Sequence, residues 1–401
     1  AFKGGSVQAD EGAVADLAGK FNLGGKGDTL DGSLSDIAMR LFDPNTEEEG
    51  KRFEEVKFEG GATLRNSVAN FTGGFAMAKS GMQIAQVTGR HSLENNEGSL
   101  TFAPTPLIFV PRSFQPYDLS PLLRGPAGVT GRADISGSAS WNADGMKASA
   151  TADMRKVGFT LASAGVFEGV SGKVEIADLM NMKSAPGQSI TIDKVTLGLP
   201  IEKGTIRFQL IGTSAIRLES AEWPFGGGFI RIKPVDFAFT EGTENRIVAQ
   251  AVNWDLAKLV EQFKLPDVKL VGIVAGDFPV VFRTGSATID NATLEASKEG
   301  GVIQYSGSPG DAAAQADDNS KMVFDALKDF RYQVLKVGLN GDLAGRIVMS
   351  LSVLGRNPDV LGGQPFQFNI GIDSELVRLL TSTTSQPDIR TAVGQVIGDK
   401  Q

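Results

Sequence analysis

The chain has no cysteine and only one histidine, His91, among its 401 residues. The absence of cysteine excludes disulfide scaffolds, thiol catalysis and thiolate metal sites. No nucleophile motif accompanies His91, so we expect this histidine to be a packing or solvated residue and the protein to have no enzymatic activity. No apolar run reaches the roughly 18 to 20 residues that a membrane-spanning helix needs.

Positive charge and aromatic side chains are also scarce. The net charge is −8, which argues against nucleic acid as a partner. Aromatic residues make up 7% of the chain, with three Trp and three Tyr, which leaves little surface for stacking sugars and disfavours a carbohydrate-binding adhesin. The acidic group at 317–319 lacks the spaced ligands of a calcium loop. We therefore expect neither a metal nor a cofactor.

Glycine, by contrast, is abundant, with 49 residues spread along the chain. Glycine at regular intervals indicates many turns and hence many short strands. Between these turns, apolar and polar side chains alternate. Residues 133–142 and 146–155 follow this pattern on either side of a turn at Asp144 and Gly145, which predicts a hairpin.

Strands of this kind have one apolar face and one solvated face. We expect the apolar side chains of four such segments to line a common surface. The candidate lining residues are Ile206, Phe208, Leu210, Phe278, Val280, Phe282, Ile347, Met349, Leu351, Val353, Phe366, Phe368, Ile370 and Ile372.

Helical patterns are few. They predict helices over 254–263 and 320–330, one that starts at Ser374, one over 389–397 and a short turn at 120–123. These are too few to cover a long sheet, so its apolar face must fold over on itself or accept a ligand. A closed sandwich core is the competing interpretation of the same residues.

The chain also contains a weak internal repeat. Residues 206–232 and 278–303 share an order of strands and a double glycine, which indicates repeated sheet modules. We predict one elongated repeating unit over 1–401, truncated at its N-terminus, with subdivisions at 1–116, 117–264 and 265–401.

From Trp254 onward the succession of features is specific. A helix is followed by a strand that begins with Gly276, Phe278 and Pro279, and then by a double glycine at 300–301. A second helix leads into the segment 327–332, and the segments 355–359 and 363–369 complete the order. This succession closely resembles the C-terminal region of the YdbH-type branch of the AsmA-like superfamily, a family of intermembrane phospholipid transport proteins.

The resemblance implies an all-β protein with a few short helices, whose long antiparallel sheet curls into a taco-shaped groove (a β-taco). It implies a periplasmic location in a Gram-negative envelope, an inner-membrane anchor upstream and passive conduction of phospholipid acyl chains between the inner and outer membranes. The alternative is a scaffold or chaperone for outer-membrane assembly. An open sheet also leaves an edge for a strand-adding partner near the C-terminus, for which an outer-membrane lipoprotein is the candidate.

Overall fold

A computed structural model describes most of the chain and confirms the all-β class with a few short helices, at 70% strand and 8% helix. The strand pairings are antiparallel throughout. The described residues are 2–9, 12–26, 29–45, 51–104, 106–162, 165–197, 199–240, 242–265, 267–306, 318–343, 345–375 and 388–392.

The chain divides into two compact units. The first comprises Ala1–Leu161, Val166–Asp193 and Arg207–Arg217. Its strands are β1 Phe2–Ala9, β2 Gly12–Lys26, β3 Thr29–Phe42, β4 Val56–Arg65, β5 Val68–Met77, β6 Gln83–Ser92, β7 Gly98–Pro104, β8 Leu107–Phe109, β9 Ala127–Asn142, β10 Gly145–Leu161 and β11 Gly165–Ile176. The predicted turn at 120–123 is a 3-10 turn, Pro121–Leu123, capped by Ser120.

The second unit comprises Ala162–Gly165, Lys194–Ile206 and Leu218–Gln401. Strands β12 Gln188–Leu197, β13 Leu199–Gly212 and β14 Ala215–Phe225 contribute residues to both units. The remaining strands are β15 Gly228–Ile232, β16 Val235–Ala238, β17 Asn245–Asp255, β18 Val268–Val271, β19 Ile273–Arg283, β20 Ser286–Ala296, β21 Gly301–Tyr305, β22 Phe330–Asp342, β23 Arg346–Arg356, β24 Phe366–Glu375 and β25 Asp388–Ala392. In the described residues the helices are α1 Leu256–Phe263 and α2 Asp318–Ala326, and further 3-10 turns occur at Pro116–Asp118 in the first unit and at Leu327–Asp329 and Leu361–Gly363 in the second.

The predicted helices have different outcomes. The helix predicted over 254–263 is α1, and its cap is Asp255, whose side chain accepts a hydrogen bond from the Ala257 amide. The helix predicted over 320–330 is α2 with the 3-10 turn that follows it. The helix predicted over 389–397 is wrong over its described part, because Asp388–Ala392 pairs with β24 as strand β25; residues 393–397 lie outside the described residues. In the helix predicted from Ser374, residues 376–380 lie outside the described residues. Among the described residues, no helix is both long and apolar enough to cross a bilayer.

Bulges keep the apolar side chains on one face of the long strands. In β20, Ile289 pairs with Gly341 and Ala292 pairs with Leu339, so one extra residue lies between two positions of the same face. Asn291 absorbs the change with a φ of 57°, a left-handed conformation that asparagine tolerates. Ile289 and Ala292 are both buried as a result.

Helix α2 closes one end of the second unit's apolar face. Val323 and Ala326 of this helix pack in a buried cluster with Phe330, Phe366 and Phe368. The C-terminus of α2 is fixed by Asn357, a buried residue whose Nδ2 donates to the carbonyl oxygens of residues 325 and 326 at 3.3 and 2.9 Å. The aromatic cluster beneath this helix is therefore a sealed core.

A buried ion pair anchors a loop of the first unit. The Asp43 side chain is fully buried and accepts hydrogen bonds from the Arg52 guanidinium at 3.0 and 3.1 Å. It also accepts from the backbone amides of Arg52 and Asn45 at 2.7 and 3.1 Å. The Arg52 guanidinium is the largest cause that lowers the pKa of Asp43 from 3.8 to about 2.

We expect replacement of Asp43 by Asn to lower the free energy of unfolding by about 2 kcal/mol at neutral pH, the value of the pKa depression. In the wild type this contribution is fully present above the unfolded pKa near 3.8 and is lost as the pH falls towards about 2. Urea unfolding at pH 7, 4 and 2.5 measures both effects. Asp36→Asn is the matched control, because Asp36 pairs with Lys20 in solvent and should change stability little. Equal losses of unfolding free energy for the two variants would contradict the stabilising role assigned to the Asp43–Arg52 ion pair.

Candidate functional site

The candidate site is the apolar face of the sheet. In the first unit, residues of β2 to β7, β9 and β10 that pair directly across the strands form rows on this face. We call the row nearest the turns that join β2 to β3, β4 to β5, β6 to β7 and β9 to β10 the rim row. The next two rows are the second and third rows. The rim row is Leu23, Gly32, Leu64, Ala69, His91, Gly98, Trp141 and Met146; the second row is Phe21, Leu34, Ala62, Phe71, Gly89, Leu100, Ala139 and Ala148; the third row is Ile37, Gly60, Gly73, Val87, Phe102, Gly137 and Ala150.

Large rings in these rows lie against glycines of the neighbouring strands. The Phe71 ring covers Gly89 so closely that a Cβ there would overlap it, and the Phe102 ring covers Gly137 in the same way. A ring that lies over a glycine occupies the space that a side chain of the next strand would have taken. The rows therefore present a smooth aromatic and aliphatic surface whose rings lie along the sheet.

Part of this face is open to solvent although it is apolar. Phe21 is 50% exposed, Leu23 is 51% exposed and Met146 is 41% exposed, whereas Val87 in the third row is 2% exposed. The exposed side chains lie on β2 and β10, the strands at the two ends of the rim and second rows, whereas Leu64 in the rim row is 5% exposed. Exposed apolar side chains that share one face mark a surface for a ligand or partner.

The opposite face of the first unit is polar. Thr88 and Thr101 are hydrogen-bonded across β6 and β7 at 3.0 Å, and Ser138 and Ser149 across β9 and β10 at 3.2 Å. The first unit therefore has one polar face that can be hydrated and one apolar face.

In the second unit, the apolar face is open in its middle. Leu351 and Ile370 are directly paired, as are Leu339 and Met349, and all four are only partly buried. Phe278 lies on the same face and packs against the clusters on both sides of this stretch. The open stretch thus adjoins the core that α2 seals.

The predicted lining residues divide by burial. Phe366, Phe368, Ile347 and Val353 are at most 2% exposed. The side chain of Ile372 lies outside the described residues, although its backbone pairs with Met349. Phe208, Val280 and Phe282 are 6–8% exposed, and the residues that keep partial exposure are Ile206, Leu210, Phe278, Met349, Leu351 and Ile370.

The sequence prediction missed the first unit's share of this surface. Phe71, Phe102 and Trp141 were not named as lining residues, and His91 was expected to be a packing or solvated residue. The structure places His91 on the apolar face, partly buried, where its Nδ1 accepts a hydrogen bond from Trp141 Nε1 at 3.1 Å. The available signal was a glycine at the register position opposite each ring, which requires the strand pairing to be known.

We expect replacement of Gly73 by Ala to destabilise the first unit by about 1–3 kcal/mol, because a Cβ at this position overlaps the Phe58 ring and the backbone of the neighbouring strand. Thermal unfolding measures the effect. Gly125→Ala is the control, since nothing lies within 4 Å of a Cβ there. Equal stability of the two variants would show that the ring does not lie against the sheet.

Comparison with known proteins identifies a family for this chain. No curated protein and no solved structure matches the chain significantly. The sequence profile of the YdbH-like family, described as "Intermembrane phospholipid transport protein YdbH", matches residues 11–396. This match covers nearly the whole chain. The chain therefore belongs to the YdbH-like family of intermembrane phospholipid transport proteins.

Proposed function

We propose that the chain conducts phospholipid passively, with acyl chains on the apolar faces of its sheet and headgroups in water along the strand ends. The observation that carries this proposal is the partial exposure of apolar side chains that share a face within each unit: Phe21 and Met146 in the first unit, and Met349 with its neighbours in the second. In an ordinary globular protein such a face is covered by a second layer. Here the acyl chains take the place of that layer.

The energetics favour both retention of an acyl chain on the apolar face and its movement along that face. Each methylene moved from water to an apolar surface gains about 0.8 kcal/mol, so a chain of a dozen methylenes is retained by roughly 10 kcal/mol. The rim row spans eight strands about 4.8 Å apart, a length of roughly 34 Å. A uniform lining of this kind offers a lipid similar contacts at successive positions, so movement along a row costs little.

The family gives the proposal its location. Transport between two membranes takes place in the periplasm, and an inner-membrane anchor upstream of the chain stays a prediction.

We also propose that a partner strand extends the sheet at its C-terminal end, with an outer-membrane lipoprotein as the candidate. Such a strand would pair beyond β25, since β25 already pairs with β24 over Asn369–Asp373.

We expect a photo-crosslinking residue at Met349 to capture phospholipid in the bacterial envelope, because this position lies in the open stretch of the apolar face. The same residue at Val348 should not, although Val348 is 47% exposed, because it lies on the opposite face. Mass spectrometry of the adducts distinguishes lipid from protein capture. Lipid capture at both positions, or at neither, would overturn the proposal.

We expect Met349→Arg to abolish transfer of labelled phospholipid between vesicles while the protein stays folded. A cation on the apolar face draws water into the path of the acyl chains. Val353→Arg, four residues further along the same face, should instead destabilise the protein by at least about 3 kcal/mol, because Val353 is fully buried. Circular dichroism during thermal unfolding checks both variants. If Met349→Arg unfolds the protein as Val353→Arg does, the face is a closed core and does not conduct lipid.

A further inference from the structure

His91 is the one ionisable side chain in the three rows of the first unit's apolar face. All other members of these rows are aliphatic, aromatic or glycine. The position is on the rim row, one residue before the end of β6, and the side chain is partly exposed. His91 therefore lies where the apolar surface meets water.

Trp141 fixes the chemistry of this histidine. In the rim row, Gly98 lies between His91 and Trp141, on the strand that separates them. The indole ring crosses this glycine closely enough that a Cβ would overlap it. The indole Nε1 thereby reaches His91 Nδ1 at 3.1 Å, and the two rings stack with centroids 6.0 Å apart.

This contact determines which imidazole nitrogen can donate. An indole N–H is only a donor, so Nδ1 of His91 must be the acceptor, and a neutral imidazole that accepts at Nδ1 carries its proton on Nε2. The His91 side chain makes no other hydrogen bond in the described part of the chain. In the described residues, Trp223 Nε1 is the only buried side-chain nitrogen or oxygen that has no hydrogen-bond partner. His91 Nε2 also has no partner among these residues, so this nitrogen is not buried. The Nε2–H is thus an accessible donor at the edge of an apolar surface.

We propose that His91, oriented by Trp141, binds the phosphate oxygens of a phospholipid whose acyl chains lie on the second and third rows. This inference rests on the proposed function and adds the part of the lipid that the apolar rows cannot recognise. A phospholipid has an anionic, acceptor-rich region directly above its acyl chains, and the rim row is the only one of the three rows that offers a donor to it. Histidine and tryptophan both have an apolar body and a polar tip, which suits them to this boundary.

The test compares two lipids with identical acyl chains, phosphatidylethanolamine and diacylglycerol, for binding to the full-length protein. We expect His91→Phe to weaken phosphatidylethanolamine binding about tenfold, the size expected of one hydrogen bond to a charged group, and to leave diacylglycerol binding within about twofold. His91→Gln retains an N–H donor and should restore part of the loss. Arg90→Gln, on the polar face next to His91, controls for bulk attraction of phosphate and should change neither affinity.

Trp141→Phe gives a second test that leaves His91 in place. The phenyl ring can still cover Gly98, but it cannot donate to Nδ1, so the imidazole loses its fixed orientation. We expect a loss of about threefold for phosphatidylethanolamine alone. The Trp141→Phe variant therefore tests the contact between His91 and the headgroup even if His91→Phe fails to fold.

The outcomes separate this inference from the function on which it rests. If the wild type binds neither lipid, the proposed function is wrong. If it binds both and the His91 and Trp141 variants weaken both lipids equally, or neither lipid, the conduit stands and the headgroup contact is wrong. A lower melting temperature with an equal loss for both lipids would assign His91 to a purely structural role.

Discussion

The structure depends on keeping apolar side chains on one face of the sheet over very long strands. Strict alternation alone does not achieve this, because the sheet must also twist and bend. Bulges solve the problem locally: Asn253 and Asn291 adopt left-handed conformations with φ of 53° and 57°, and each restores the apolar face on the far side of the bulge. A missing bulge residue would move every later side chain of that strand to the wrong face. The same device occurs in the first unit at Lys156, where the register of β10 shifts before Val157 is buried.

The apolar face so produced is used in two ways. Where α2 and Asn357 cover it, the phenylalanines beneath pack edge to face, with Phe330 and Phe368 centroids 5.0 Å apart, and form an ordinary core. Where no helix covers it, rings lie over glycines and side chains such as Met349 remain partly exposed. The first arrangement supplies stability, and in the proposed function the second leaves room for acyl chains. A lipid-conducting sheet needs both, because a face that is open everywhere would bury too little surface to stay folded.

Alternation predicted the strands and one hairpin correctly, since residues 133–142 and 146–155 pair as expected in β9 and β10. It also placed Phe366 and Phe368 on the apolar face, but it could not show that α2 covers them, because that depends on contacts distant in sequence. The prediction of a helix from residue 389 failed for a related reason: a short amphipathic pattern is decided by its neighbours, and β24 offers an edge for pairing. The role of Trp141 was inaccessible from sequence, since nothing local relates it to Gly98 or to His91.

The central claim is that phospholipid occupies the uncovered part of the apolar face in the native protein. Native mass spectrometry of the full-length protein, purified without added lipid and followed by identification of the released molecules, tests this most directly. The account predicts bound phospholipid, with several molecules per chain because the uncovered face occurs in both units. A protein that is folded and free of lipid, with its apolar face protected from a hydrophobic dye, would contradict it.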